Sequence, residues 1–129
     1  MNPIISVDGK ITKATILIVD DNPNNVQLLN AVMSMRGFDV MVAKNGLQAL
    51  EIVKNELPDL ILLDIMMPVM DGFEACRKLK ECPETKNIPI IFLTAKSHID
   101  DIMKGFELGG VDYITKPFSS NELVARVEI

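Results

Sequence analysis

The sequence predicts an α/β fold: five parallel strands in one open, doubly wound sheet, with five helices distributed over both faces. Two observations carry this expectation. Short apolar runs alternate with longer segments of helical apolar spacing, the pattern of repeated strand, helix, strand units. Three of the runs, Ile16-Leu17-Ile18-Val19, Leu60-Ile61-Leu62-Leu63 and Ile90-Ile91-Phe92-Leu93, are apolar without interruption, as strands covered on both faces are. Right-handed crossovers between such strands put helices on both sides of the sheet and the ligand site at the carboxyl ends of the strands.

The elements follow in order. The first strand is expected over Thr15 to Val19. Asn22-Pro23 supplies a cap and a first-turn residue for the first helix, in which Val26, Leu29 and Ala31 to Met33 form one apolar stripe, and Arg36-Gly37 closes it. Phe38 to Ala43 reads as the second strand, and Asn45-Gly46 opens a second helix carrying Leu47, Leu50, Ile52 and Val53. The third, fourth and fifth strands are expected over Leu60 to Leu63, Ile90 to Leu93 and Tyr113 to Thr115, with a helix in each interval. Ser119 or Ser120 caps a fifth helix bearing Leu123, Val124 and Val127. Residues 1–13 are polar, contain an Asp8-Gly9 turn signal, and are expected to form a tail or short extra arm ahead of a domain over 14–129. Apolar residues still recur at helical spacing up to Ile129 without a capping signal, so this end reads as a cut through a helix, as in a domain excised from a longer protein.

At 129 residues and 48% apolar, the chain is one domain's worth of protein, and its apolar content excludes a disordered chain. The net charge of −5 argues against unaided binding to nucleic acid or an anionic membrane, which would repel it. No apolar run approaches the ~18 residues of a membrane span, and the opening Met-Asn-Pro-Ile-Ile lacks the regions of a signal peptide. The expected compartment is the cytoplasm. Cys76 and Cys82 have neither redox nor zinc-pair spacing, and His98 is remote from both; they read as reduced thiols without a chemical role.

Chemistry is concentrated where the strands end. Asp20 and Asp21 end the first strand, Asp64 the third and Thr94 the fourth, while Lys116 follows the fifth. Each has a plainer reading alone: Asp21 or Asn22 as a helix cap, Thr94 as a satisfied strand end, Lys116 as a solvated charge. Together they converge on one edge. If the first and third strands are neighbours, three carboxylates crowd together, a costly arrangement unless a cation sits among them. An all-oxygen set of this kind suits a hard divalent ion, Mg²⁺ in particular, paired with one or two carboxylates and a phosphoryl group.

Four segments, Ile-Leu-Ile-Val-Asp20-Asp21-Asn-Pro, Leu-Ile-Leu-Leu-Asp64-Ile-Met-Met-Pro68-Val-Met-Asp71-Gly72, Phe-Leu-Thr94-Ala95 and Asp-Tyr113-Ile-Thr-Lys116-Pro117-Phe118, resemble in order and interval the signatures of receiver domains of two-component response regulators. The resemblance runs from about Ala14 to Ile129. It implies a flavodoxin-like sheet of order 2-1-3-4-5 and a phosphoryl switch with Asp64 as acceptor. Asp21 and Asp64 would ligate Mg²⁺ directly, Asp20 through water, and the Met66 carbonyl would add a ligand; Mn²⁺ would substitute. Thr94, Lys116 and the Ala95 amide would contact phosphoryl oxygens, and the Lys116-Pro117 bond would be cis. Thr94 and Tyr113 would move together as the switch, altering the face made by the fourth helix, fifth strand and fifth helix. The implied partners are a histidine kinase or histidine phosphotransfer protein and an output domain or protein reached through that face, with no direct contact to nucleic acid or membrane.

Pro68 and Gly72 suit a mobile loop after the acceptor, proline setting a turn and glycine allowing a positive backbone angle. Met66 and Lys96 would flank the path of the water that removes the phosphoryl group. His98, with no ATP-binding glycine loop beside it, reads as a surface residue at the start of the fourth helix. Three rival readings fare worse. An aspartyl-phosphate hydrolase often carries a second acid two residues past its nucleophile, where this chain has Met66. A flavin site of the same topology needs a Ser, Thr and Gly loop, and Asp20-Asp21-Asn22-Pro23-Asn24-Asn25 would repel the flavin phosphate. A degenerate scaffold would lack one of the five key residues, all of which are present.

Overall fold

In the computed structural model the described residues are 4–7, 10–95, 112–116 and 120–127, with Met103, Glu107 and Gly109. A five-stranded sheet is built from β3 (Thr15–Val19), β4 (Asp39–Ala43), β5 (Leu60–Asp64), β6 (Ile90–Ala95) and β7 (Asp112–Lys116). Its order is β4-β3-β5-β6-β7 and every pairing is parallel, the expected 2-1-3-4-5 arrangement. Four helices are described: α1 (Pro23–Met35), α2 (Gly46–Asn55), α3 (Gly72–Glu81) and α4 (Ser120–Val127). The helix expected between the fourth and fifth strands of the sheet falls mostly outside the described residues. Residues 1–13, expected as a tail or arm, contain β1 (Ile4–Val7) and β2 (Lys10–Lys13), paired antiparallel with Val7 opposite Lys10, while Asp8 and Gly9 lie outside the described residues. Asp-Gly between β-formers is a two-residue hairpin signal.

Alternation along β3 divides the core between the two faces. Ile16 and Ile18 pack with Leu29 and Met33 of α1 and Leu123 of α4, whereas Leu17 and Val19 pack with Ala49 and Val53 of α2 and Ala75, Cys76 and Leu79 of α3. Ile16, Ile18, Leu17 and Val19 are fully buried, and each such side chain contributes about 1.5 to 3 kcal/mol through burial. That two-sided burial is why the central strands are apolar at every position, and it holds their carboxyl ends in fixed register.

The helix ends explain a boundary that differs from expectation. Phe38 does not open β4; it completes the stop of α1. Gly37, at φ 91°, takes the left-handed turn that a side chain would resist. Gly37 N–H then donates to Ser34 O (3.1 Å) and Phe38 N–H to Met33 O (3.1 Å). Phe38 and Met33 are buried together in one core cluster, the apolar contact that accompanies such a stop. At the other end of α1 the Asn22 side chain accepts from Asn24 N–H and Asn25 N–H, with Pro23 in the first turn. Asn45 likewise caps α2, accepting from Gln48 N–H at 2.8 Å.

Candidate functional site

Pairing of β3 with β5 sets Val19 opposite Leu63, so Asp20, just past the end of β3, and Asp64, the last residue of β5, lie side by side at the carboxyl edge of the sheet. Asp20 is fully buried and Asp64 is 2% exposed, while Asp21 is exposed. Carboxylate oxygens of Asp20, Asp21 and Asp64 all lie within 4.8 Å of one another. Asp20 is held on three sides: its N–H donates to Ala43 O (3.1 Å), its Oδ1 accepts from Asn22 N–H (2.9 Å), and its Oδ2 accepts from Asn25 Nδ2 (3.4 Å). Three hard oxygen donors so close together could hold a hard divalent cation such as Mg²⁺ or Mn²⁺.

Two strands away, β7 delivers the compensating charge. Lys116 Nζ donates to Asp64 Oδ1 at 2.9 Å and stands 3.7 Å from Asp20 Oδ2. The Asp64 carboxyl is raised from an ordinary 3.8 to about 6: burial is the largest cause, the Lys116 hydrogen bond and charge oppose it, and the charges of Asp20 and Asp21 add to the rise. Asp64 is thus a desolvated carboxylate with one ammonium partner and two like charges beside it. Thr94, 2% exposed, lies next to the end of β6 with Thr115 as its cross-strand partner, and Ala95 is paired with Lys116. Asp20, Asp21, Asp64 and Lys116 therefore come together at one sheet edge, and Thr94 and Ala95 end the strand between the acid pair and the lysine. Lys96, His98 and Pro117, with the Lys116-Pro117 bond, lie outside the described residues.

The loop from Ile65 to Asp71 works differently from expectation. Gly72 has no positive φ. Its requirement is proximity: a Cβ there would sit 2.2 Å from Asp64 O and 2.9 Å from Ile65 Cα. Gly72 N–H donates to Ile65 O at 2.9 Å, so the first residue of α3 lies directly on the backbone of Asp64, and the Asp71 side chain caps that helix by accepting from Glu74 N–H at 2.9 Å. The positive angle falls instead on Val69, at φ 70°. Met70 N–H donates to Pro68 O (2.8 Å) across it, a γ-turn of the strained hand. Met66 is 65% and Val69 78% exposed.

Tyr113 is half-buried and packs against the core cluster that includes Phe92, its cross-strand partner. Sequence reasoning missed what borders it. Arg126 of α4 donates from Nη1 to both oxygens of Asp112, at 2.9 and 3.0 Å, and its guanidinium carbon lies 5.6 Å from the centre of the Tyr113 ring. Nor does the sequence signal the contact of Asn25 with Asp20, since the Asn-Pro-Asn-Asn run reads as a helix start and as a segment unfit to cradle a flavin phosphate. At the opposite, amino ends of the strands, a cavity of about 410 Å³ lined by Ile16, Phe38, Leu60 and Ile91 shares no residue with the acidic edge.

Comparison with known proteins bears on the family and the fold. The family described as "Response regulator receiver domain" matches residues 16–128. The chain is 46% identical over 114 residues to the response regulator PleD of Caulobacter vibrioides, covering 88% of this chain and 25% of that protein. It is 46% identical over 112 residues to the DNA-binding response regulator MtrA of Mycolicibacterium smegmatis, covering 87% and 48%. The chain thus spans a quarter to about a half of these curated relatives. Among solved structures, a response regulator from Chloroflexus aurantiacus superposes with a TM-score of 0.88 at 38% identity, over 91% of this chain and 96% of that one. The Vibrio cholerae chemotaxis protein CheY4 superposes with a TM-score of 0.86 at 29% identity, over 91% and 98%.

Proposed function

The chain belongs to the receiver domain family of two-component response regulators, and from that premise we propose that it is a phosphoryl switch whose acceptor is Asp64. The observation that carries the reading is the pairing of Lys116 Nζ with the buried Asp64 Oδ1 at 2.9 Å beside two further carboxylates.

In the proposed reaction an Asp64 oxygen attacks phosphorus of a phosphohistidine on a histidine kinase or histidine phosphotransfer protein. The O–P bond forms, the N–P bond breaks, and the imidazole leaves and takes up a proton. Catalysis is mostly positioning and electrostatics. Asp21 and Asp64 directly, Asp20 through water and the Met66 carbonyl would hold Mg²⁺; the chemistry it supplies when bound is charge neutralisation between acceptor and phosphoryl oxygen. The Lys116 ammonium, a compact point charge on a flexible stem, exchanges its bond to Asp64 for one to the transferred group. The Thr94 hydroxyl and the Ala95 N–H donate to the other oxygens. Water later removes the phosphoryl group from the side where Met66 is exposed, so the domain catalyses its own dephosphorylation and turns over no separate metabolite.

Thr94 drawn toward the phosphoryl group vacates space on the side of the sheet it shares with Tyr113, and the face formed by α4 and β7 changes shape for an output domain or protein. A direct contact of the domain with nucleic acid or an anionic membrane is not part of this reading, since its charge of −5 would repel both; among the described residues no helix is long and apolar enough to cross a membrane. A phosphohistidine donor of this kind would meet it in the cytoplasm, the compartment we propose. Fluorine NMR with beryllofluoride and Mg²⁺ tests the site: wild type is expected to give resonances of a single bound adduct that Asp64→Asn lacks, and equal adduct signals in both would refute the assignment.

A further inference from the structure

Asn25 stands where its chemistry exceeds what its helix needs. It is the third residue of α1, after the cap Asn22. At that position a helix often carries Glu or Gln, whose side-chain oxygen accepts from the N–H of the cap residue. Here the Asn22 N–H is already donated to Asp20 Oδ1 at 2.9 Å, so the usual acceptor has nothing to receive. Asn25 instead turns its amide nitrogen onto the second oxygen of the same carboxylate, Asp20 Oδ2, at 3.4 Å. Asp20 is thereby gripped at both oxygens by one short segment, Asn22 to Asn25, and that segment is in turn tied together by the Asn22 side chain, which accepts from the N–H groups of Asn24 and Asn25.

We infer that Asn25 is a positioning residue for the divalent-cation site, fixing the orientation of Asp20 through Oδ2. The inference rests on the reading of Asp20, Asp21 and Asp64 as a Mg²⁺ site. Asp20 is fully buried and its Oδ2 faces only two described donors, Asn25 Nδ2 and, at 3.7 Å, Lys116 Nζ. Lys116 is committed to Asp64 at 2.9 Å and, in the proposed reaction, moves to the phosphoryl group. Asn25 is then the donor that stays. A neutral amide suits the place: it orients a carboxylate without adding a fourth negative charge to the three already within 4.8 Å, whereas a Glu would raise the repulsion. Groups that orient direct metal ligands from behind commonly change metal affinity by about 10- to 100-fold when removed; with Asp20 acting through water, the low end of that range is expected.

The test is calorimetric titration of Mg²⁺ alone into the full chain, with thermal melting of each metal-free variant alongside. Asn25→Leu removes the donor while keeping the bulk, Asn25→Ala removes both, and Asn25→Gln restores an amide. Wild type is expected to bind Mg²⁺, the Leu and Ala variants to bind it about 10-fold more weakly, and the Gln variant to recover part of the loss, with metal-free melting little changed. Mg²⁺ affinity within about twofold of wild type in a folded Leu or Ala variant overturns the role of Asn25 while leaving the metal site standing. Failure of wild type to bind Mg²⁺ overturns both. A loss shared equally by the Gln variant and matched by a fall in melting temperature would show a structural role and overturn the inference too.

Discussion

Asp64 and Lys116, 52 residues apart in the chain, meet at 2.9 Å because β5 and β7 flank β6 in register. The carboxylate is 2% exposed, and its ammonium partner does not offset the combined effect of burial and of Asp20 and Asp21, which leave its pKa at about 6. The resting site is therefore electrostatically loaded, and its consequences are measurable.

Stability of the metal-free protein should depend on pH through this group. Asp64 holds its proton more tightly folded, at about 6, than its ordinary 3.8. Between these values the native state binds more protons, so this contribution to stability is fully present below about pH 4 and is lost as pH rises through 6. Asp64→Asn removes the penalty. Without Mg²⁺ the variant should be more stable than wild type by about 1 to 2 kcal/mol at pH 7.5, part of the gain being offset by the lost Lys116 bond, and the difference should vanish near pH 4. Denaturant titration at both values checks this; a gain that persists at pH 4 would point to another cause.

Asp21 is the exposed member of the acid trio. Asp21→Ala should relieve repulsion and leave the metal-free protein equal to or more stable than wild type by up to about 1 kcal/mol, while abolishing the Mg²⁺ dependence of phosphorylation. A variant that melts well below wild type and still titrates normally with Mg²⁺ would contradict this.

The close approach at Gly72 makes a sharp prediction, because a methyl 2.2 Å from Asp64 O must displace rigid backbone. Gly72→Ala should cost about 3 kcal/mol of stability and depress phosphorylation of whatever remains folded. Val69, at φ 70°, should respond oppositely: Val69→Gly relieves strain and, after the added freedom of the unfolded chain, should stabilise by up to about 1 kcal/mol. Thermal melts of the pair, expected to move in opposite directions, decide it.

These two residues also mark where the sequence stopped being legible. The strands could be read because the central ones are buried on both faces, and the edge that gathers Asp20, Asp64 and Lys116 follows once the strands are ordered. Caps at Asn22 and Asn45 are local chemistry and could be read too. Gly72 suits a loop because glycine allows a positive angle, the commonest reason for one there; its actual constraint, contact with the backbone of Asp64, exists only after β5 and α3 are packed. Val69 carries a positive φ against its own preference, which no propensity would indicate. Arg126 reaches Asp112 and Tyr113 only through the docking of α4 beside β7, and Phe38 looked like a strand residue because burial in a helix stop and in a strand leave the same apolar signal.

The relay from Thr94 to Tyr113 can be followed in the ring resonances of Tyr113, the single tyrosine of the chain. Addition of beryllofluoride should shift them in wild type, and the shift should be largely lost in Thr94→Ala although that variant still binds the mimic, since the Thr94 hydrogen bond is the contact that differs between the two states. Equal shifts in both proteins would leave Thr94 without a part in the relay.

The central claim, that Asp64 accepts the phosphoryl group, is tested most directly by mass. Wild type and Asp64→Asn are incubated with acetyl phosphate and Mg²⁺, weighed intact, and digested to locate any adduct. The account predicts one phosphoryl group on wild type, carried by the peptide containing Asp64, and none on the variant; an adduct of equal yield on Asp64→Asn would contradict it.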